Sequence, residues 1–266
     1  MTTFDDGLLL AMDVGNTQTT AALFQRAEIV QAWRLTTARH RTKDEWGALF
    51  QNLFHFHGVS FDDVKGVAVS SVVPPLDMPL RNLVRHYFGR DPLFVQQGIK
   101  TGIAIHYDNP AEVGADRIVN AVSTAERYGV PAVVVDFGTA TTFDVLGHSG
   151  AYEGGIIAPG IGISAEALFE KAAKLPKVDL CRPDRFIGRT TAGAIRSGLY
   201  WGYAGLVEGI ARRLLDEMGG ADHIVATGGH ASVLAGDCPC ITDVDENLTL
   251  HGLRILYGRN AGMRDG

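Results

Sequence analysis

The chain has 266 residues, and 46% of them are hydrophobic, which is enough for one large or two modest packed domains. Its formal net charge is −6, and its 24 Lys and Arg are scattered, so the sequence lacks the basic surface that nucleic-acid binding needs. The first six residues contain two acids and no base, and the apolar run after them is too short for a signal peptide or a membrane span. We therefore expect a cytoplasmic protein with neither nucleic acid nor membrane as a partner.

The N-terminal half is predicted to contain three consecutive strands, after which helices and strands alternate. Apolar and β-branched runs predict strands at residues 8–14, 19–24 and 29–36. Helical spacing of apolar residues predicts a helix at residues 43–57, and a strand, a helix and a strand follow through residue 95. The predicted order is β-β-β-α-β-α-β.

The C-terminal half repeats much of this order, which predicts a duplicated α/β architecture with domains at residues 1–110 and 111–266. A polar, proline-containing connector near residues 176–183 separates its two groups of elements. The predicted elements are a helix at 111–128, strands at 132–137, 141–146 and 152–157, helices at 164–173 and 191–218, a strand at 223–226 and a helix at 248–262.

A short motif occurs once in each half, directly after a strand: Asp13-Val14-Gly15-Asn16-Thr17, and Asp136-Phe137-Gly138-Thr139-Ala140-Thr141-Thr142. In each copy a glycine permits a tight turn, and hydroxyl residues begin the returning strand, which predicts a hairpin. Backbone N–H groups and Thr hydroxyls of such a hairpin can bind a polyphosphate, while the Asp can hold a cation. Either copy alone is also an ordinary turn signal. The pair predicts a nucleotide bound between the two copies.

A third segment, Thr227-Gly228-Gly229-His230-Ala231, follows a predicted strand. Its paired glycines would let the backbone lie against a flat ligand such as adenine, or would serve a helix start after a tight turn. The sequence contains neither a P-loop nor a Rossmann fingerprint. We interpret the glycine-rich run at residues 154–160 as a strand and turn that line the cleft.

An acid and a base stand side by side at the start of the helix predicted at residue 111. In Gly114-Ala115-Asp116-Arg117, the carboxylate could take the proton of a phosphoryl acceptor, and the guanidinium could bind an anionic substrate group. Helix N-termini also favour anions. The alternative is a structural Asp–Arg pair at a helix start.

Taken together, these motifs resemble the type III pantothenate kinases, and the resemblance spans nearly the whole chain. The motifs that carry it are the two hairpins, Tyr107-Asp108-Asn109-Pro110, Gly114-Ala115-Asp116-Arg117 and the run at residues 154–160. The resemblance implies an actin-like fold of the acetate and sugar kinase/Hsc70/actin type, which is ribonuclease H-like and has an interdomain nucleotide cleft. It also implies a homodimer with active sites at the subunit interface, and phosphorylation of pantothenate by ATP in the first step of coenzyme A biosynthesis.

The resemblance also assigns roles to individual residues. Asp116 resembles the catalytic base, and Asp136 resembles the ligand of an activating monovalent cation, K⁺ or NH₄⁺, which acts beside Mg²⁺. The expected pantothenate-binding residues are Tyr107, Gly114, Ala115, Asp116, Arg117 and Thr191. The expected ATP-binding residues are Asp13, Val14, Gly15, Asn16, Thr17, Gln18, Thr19, Thr20 and Thr139.

Two features leave alternatives open. The pair Thr190-Thr191 leaves it undecided which hydroxyl faces the substrate, whereas Gln18, which stands where Asn is common in the first hairpin of the family, is a small departure that does not affect the assignment. Because the hairpins are generic, another small-alcohol or sugar kinase of the same superfamily remains an alternative function. A nucleotide-dependent regulatory accessory protein is the non-catalytic alternative.

Overall fold

The computed structural model describes residues 7–172 and 175–261. The chain divides into two compact units, which are residues 1–102, 109–123 and 249–266, and residues 103–108 and 124–248. These units differ from a single division after residue 110, because the segment that carries Asp116 and the C-terminal helix both belong to the first unit. The boundary at residue 110 stays a prediction.

The first unit contains a five-stranded mixed sheet of order β3-β2-β1-β4-β5. Strands β1, β2 and β3 form an antiparallel meander, while β4 pairs parallel to β1 and β5 pairs parallel to β4. The strands are β1 (Leu8–Val14), β2 (Gln18–Gln25), β3 (Glu28–Thr36), β4 (Val64–Ser71) and β5 (Leu93–Phe94), and two helices of this part are α1 (Lys43–His55) and α2 (Pro74–Tyr87).

The second unit repeats this topology with a sheet of order β10-β9-β6-β7-β8. Strands β6, β7 and β8 form an antiparallel meander, while β9 pairs parallel to β6 and β10 pairs parallel to β9. The remaining elements are α3 (Ala115–Arg127), β6 (Ala132–Phe137), β7 (Ala140–Leu146), β8 (Tyr152–Pro159), α4 (Ile161–Lys171), α5 (Thr191–Met218), β9 (His223–Thr227), α6 (Ala231–Leu234), β10 (Asp243–Val244) and α7 (Leu248–Asn260). The duplication predicted from the two motifs is confirmed.

Helix α7 packs closely against α3 and β4 in the first unit, and each of these two contacts depends on a glycine. A Cβ at Gly252 would collide with the backbone of Val119 in α3, and a Cβ at Gly66 in β4 would collide with the ring of Tyr257. The ring of His251 also meets Phe24 edge-on, with centroids 5.4 Å apart. Because close packing of this kind tolerates no added methyl, α3 and α7 are held in fixed positions beside the first sheet.

Most predicted elements are confirmed, and the differences are at their ends. The helix predicted at 111–128 begins as a 3-10 turn, Pro110–Glu112, and the α-helix starts only at Ala115. Helix α1 ends two residues early, and Gly58 follows it with a φ of 66°. The predicted ends at residues 173 and 262 lie outside the described residues. The two-residue strand β10 and the one-turn helix α6 were missed because such short elements have no periodicity.

Candidate active site

The first hairpin joins β1 to β2 through an exposed tip at residues 16–18. The N–H of Gly15 donates to the carbonyl of Gln18 at 3.0 Å, which closes the turn. Asp13 is opposite Thr20 in the antiparallel register, one pair before the last. The tip therefore presents backbone and polar side chains to solvent, while the carboxylate lies at the end of the strand.

Thr37, at the end of β3, holds this hairpin and was not recognised from the sequence. Its N–H donates to the carbonyl of Thr17 at 3.0 Å, and its hydroxyl donates to the carbonyl of Gly15 at 2.8 Å. The hydroxyls of Thr37 and Thr19 are 2.9 Å apart. Since these contacts depend on the pairing of β2 with β3, no local signal in the sequence could have indicated them.

The second hairpin joins β6 to β7 through Gly138 and Thr139, and Asp136 is opposite Thr142. Asp136 and Asp13 thus hold equivalent places in the two sheets. Gly160, at the end of β8, donates its N–H to the carbonyl of Thr139 at 3.1 Å. A Cβ at Gly160 would collide with the backbone of Thr139, so only glycine permits this contact.

The loop after β9 packs against the second hairpin. Gly228 has a φ of 90°, and a Cβ there would collide with the Asp136 carboxylate and with the backbone of Phe137. Gly228 therefore serves internal packing, which differs from the expected approach to a flat ligand. Gly229 is exposed with open space at its Cβ position, and α6 begins at Ala231, so the turn also starts a helix.

Asp116 lies in the first turn of α3, where free backbone N–H groups are available. Its Oδ1 accepts a hydrogen bond from the N–H of Arg117 at 2.8 Å. A Cβ at Gly114 would be 2.6 Å from the same oxygen, so the glycine leaves room for the carboxylate. Burial raises the pKa of Asp116 above its usual range, and this outweighs the opposing effects of the Arg117 N–H and charge.

Tyr107 belongs to a segment that adds to the edge of β8. The N–H of Tyr152 donates to the carbonyl of Ala104 at 2.9 Å, and the N–H of His106 donates to the carbonyl of Tyr152 at 2.8 Å. The rings of Tyr107 and Tyr152 have centroids 6.3 Å apart. Gly154, with a φ of 123°, leaves its Cβ position 3.7 Å from the Tyr107 ring. The segment thus places the tyrosine against a glycine face of β8.

The two threonines at the start of α5 have different surroundings. The Thr190 hydroxyl accepts the N–H of Gly193 at 3.0 Å and caps the helix. Thr191 is the first helical residue and is exposed. The Thr190 hydroxyl thus caps the helix, whereas the Thr191 side chain is exposed.

The predicted site residues fall into two groups. The first unit holds the hairpin at residues 13–20 together with the segment at residues 114–117, and the second unit holds Tyr107, Asp136, Thr139 and Thr191. Among the described residues, no group of three or more His, Cys, Asp or Glu is arranged to hold a metal ion. In the same part of the chain, no helix is both long enough and apolar enough to cross a membrane.

A duplicated α/β fold with one Asp-x-Gly hairpin in each copy defines the actin-like fold. Two solved structures share this fold. A Campylobacter jejuni protein assigned to the Baf family of transcriptional activators has a TM-score of 0.58 at 18% identity, with 95% of this chain and 99% of that chain covered. An inorganic polyphosphate/ATP-glucomannokinase from Arthrobacter sp. strain KM has a TM-score of 0.50 at 11% identity, with 95% and 98% covered.

The sequence comparisons are more specific than the fold. The family model for type III pantothenate kinase matches residues 9–213. A type III pantothenate kinase from Koribacter versatilis is 52% identical, and the alignment covers 95% of this chain and 96% of that relative. The chain belongs to the type III pantothenate kinase family.

Proposed function

We propose that this protein transfers the γ-phosphoryl group of ATP to the primary hydroxyl of pantothenate, which gives 4'-phosphopantothenate and ADP in the first step of coenzyme A biosynthesis. The observation that carries this proposal is the carboxylate of Asp116, which lies in the first turn of α3 with a raised pKa. A base whose pKa moves toward neutrality accepts a proton from an alcohol more readily. Membership of the family supplies the acceptor.

In the proposed reaction, Asp116 takes the proton of the attacking hydroxyl. The hydroxyl oxygen bonds to the γ-phosphorus as the bond from that phosphorus to its bridging oxygen breaks, and ADP leaves. The hairpin at residues 13–20 and Thr139 of the second hairpin bind the phosphates through N–H groups and hydroxyls. Mg²⁺, when bound, offsets phosphate charge, and Asp13 at the end of β1 is the carboxylate placed to hold it.

Pantothenate carries a carboxylate and hydroxyls, and the residues assigned to it have matching chemistry. Arg117 follows the base and can bind a carboxylate through two N–H groups. Tyr107 and Thr191 offer hydroxyls, and the capping role of Thr190 supports the choice of Thr191. Gly114 and Ala115 keep the approach to Asp116 open, since neither has a long side chain.

We assign the monovalent cation, K⁺ or NH₄⁺, to Asp136. Its carboxylate lies at the mouth of the second hairpin, where the backbone of Gly228 packs against it. Neither hairpin contains the lysine that neutralises phosphate charge in P-loop enzymes, so a second cation has a physical role there.

We also propose a homodimer in which α5 forms part of the interface. The buried face of α5, with Tyr200, Tyr203 and Val207, packs into the core of the second unit. On another face, glycines 198, 202 and 205 are exposed with open space at their Cβ positions. Small residues at this spacing allow two helices to approach closely, and the exposed Phe186 and Ile187 add apolar area nearby.

We place the protein in the cytoplasm. All three of its cysteines lie in the described residues and are free thiols, as is usual in a reducing compartment.

Mass spectrometry of products tests the proposal. The protein is incubated with ATP, Mg²⁺, K⁺ and pantothenate, and in parallel with a panel of sugars and small alcohols as acceptors. We expect phosphorylated pantothenate and much slower turnover of the other acceptors. Preferential phosphorylation of a sugar would assign the protein to the sugar-kinase alternative, and ATP binding without transfer to any acceptor would favour a regulatory role.

A further inference from the structure

The loop at residues 37–42, between β3 and α1, is held at both ends. At its start, the N–H and hydroxyl of Thr37 donate to carbonyl oxygens of the first hairpin. At its end, Thr42 caps α1 in a capping box, in which its N–H donates to the Glu45 carboxylate at 2.7 Å. A short loop anchored in this way has little freedom, so the positions of its side chains relative to the hairpin are well determined.

Three basic residues lie within this loop, and two of them are distinguished by their contacts. The guanidinium of Arg41 lies over the indole of Trp46, 4.6 Å from the ring centroid, and so packs on the first unit. Arg39 is exposed, and its Nη2 donates to the Oδ1 of Asn16 at 3.1 Å. Arg39 therefore reaches the tip of the hairpin to which the phosphates of ATP are assigned.

We propose that Arg39 is a phosphate-binding residue that supplies the first hairpin with its positive charge. The proposal rests on the proposed function, because it takes the hairpin to bind ATP. No Lys or Arg occurs at residues 13–20, so the hairpin by itself offers only N–H groups and neutral side chains beside Asp13. Arg39 adds a permanent charge at that place.

The chemistry of the side chain fits this role. A guanidinium has five N–H donors in a planar fork that matches phosphate oxygens. The bond to Asn16 uses one Nη2 hydrogen and orients the fork, while the exposure of Arg39 leaves its other donors accessible to a ligand. Asn16 thus positions Arg39, and the Thr37 contacts hold the loop from which Arg39 extends.

The first experiment measures binding of ATP, inorganic tripolyphosphate and adenosine by calorimetry. Arg39→Gln should weaken ATP and tripolyphosphate binding about tenfold, the effect of losing one charge-assisted bond of ordinary strength. Adenosine binding should stay within about twofold, because adenosine has no phosphate, and Arg39→Lys should recover part of the loss. Unchanged ATP binding, or equal losses for ATP and adenosine, would overturn the proposal.

Arg85→Gln is the matched control. It removes the same charge from an exposed arginine of the first unit. Arg85 lies in α2, outside the loop at residues 37–42, and its Nε donates to the Asp91 carboxylate at 2.6 Å. We expect it to bind ATP as the wild type does. A loss equal to that of Arg39→Gln would show that net charge, and not a local contact, sets the affinity, and the proposal would fail.

A double mutant separates direct contact from an indirect effect. If Arg39 binds phosphate itself, Arg39→Gln should still weaken ATP binding in an Asn16→Ala background, although by less than in the wild type, because Asn16 no longer orients the guanidinium. If Arg39 only orients Asn16, the second substitution should add nothing, which would refute the direct role. Since none of these measurements needs pantothenate, they remain decisive even if the acceptor proves to be a different alcohol.

Discussion

Asp116, the proposed catalytic base, also affects the stability of the folded protein. Burial raises its pKa, so the protonated carboxyl is more favoured in the folded protein than in the unfolded chain. A carboxyl with a raised folded pKa contributes full stability below its unfolded pKa, and that contribution is lost as pH rises through the folded value. At neutral pH the ionised Asp116 therefore lowers the free energy of unfolding.

Asp116→Asn should lower kcat by at least about a hundredfold, because the amide keeps the shape of the side chain but cannot accept the proton. The same variant should be at least as stable as the wild type at neutral pH, since it carries no charge at this place. In the wild type, activity should decline with acidification at a pH above the ordinary range of an aspartate. Steady-state kinetics across pH and thermal unfolding check both parts, and turnover like that of the wild type would remove Asp116 from the mechanism.

Gly114→Ala tests the space beside the base. The new Cβ would be 2.6 Å from Asp116 Oδ1, and the carboxylate can rotate away, so folding should be little affected. The rotated base should miss the acceptor hydroxyl, and kcat should decrease about tenfold or more, because small displacements of a catalytic group are costly. Ala115→Gly, one residue away, serves as a control for altered flexibility of the helix start. Full activity of Gly114→Ala would show that the orientation of the carboxylate is not limiting.

At the scale of elements, the two hairpins are equivalent in register but differ in their surroundings. Thr37, the residue after β3, holds the first hairpin, whereas Gly160 and Gly228 pack against the second. The second hairpin is therefore in contact with the end of β8 and with the loop after β9. Of these two glycines, Gly228 contacts the Asp136 carboxylate and Gly160 contacts the turn at Gly138 and Thr139.

From this arrangement we expect activity to require K⁺ or NH₄⁺ in addition to Mg²⁺. Asp136→Ala should weaken that dependence together with ATP binding, because it removes the carboxylate assigned to the cation. Kinetic titrations of K⁺ at constant ionic strength, with the wild type and Asp136→Ala side by side, measure the effect. Full activity of the wild type in a buffer whose only monovalent cation is Na⁺ would contradict the prediction.

At the scale of the whole molecule, we expect the active form to be a homodimer with sites shared between subunits. Asp116→Asn and Thr191→Ala chains, each inactive alone, should recover about a quarter of wild-type activity when equal amounts exchange into mixed dimers, since half the dimers then hold one intact site of two. Light scattering checks the mass of the active species. A fully active monomer, or mixed dimers without any recovery, would refute shared sites.

The elements with long periodic or strongly apolar patterns were predictable from sequence. The bounds of β1, β6 and α5 agree with the predictions, because an amphipathic helix or a buried strand carries its own periodicity over many residues. The duplication was predictable too, since each Asp-x-Gly motif begins at the end of a buried strand and runs into the turn that follows.

The sequence by itself determined the family, the repeated topology and the residue types of the candidate site, because these depend on local patterns and on motifs in a given order. Only the tertiary structure decided which residues support them. Thr37 and Arg39 contact the first hairpin from the loop after β3, and Gly228 contacts Asp136, which is more than ninety positions away in the chain. Such contacts join residues far apart in sequence, and their energies depend on packing that no local pattern encodes.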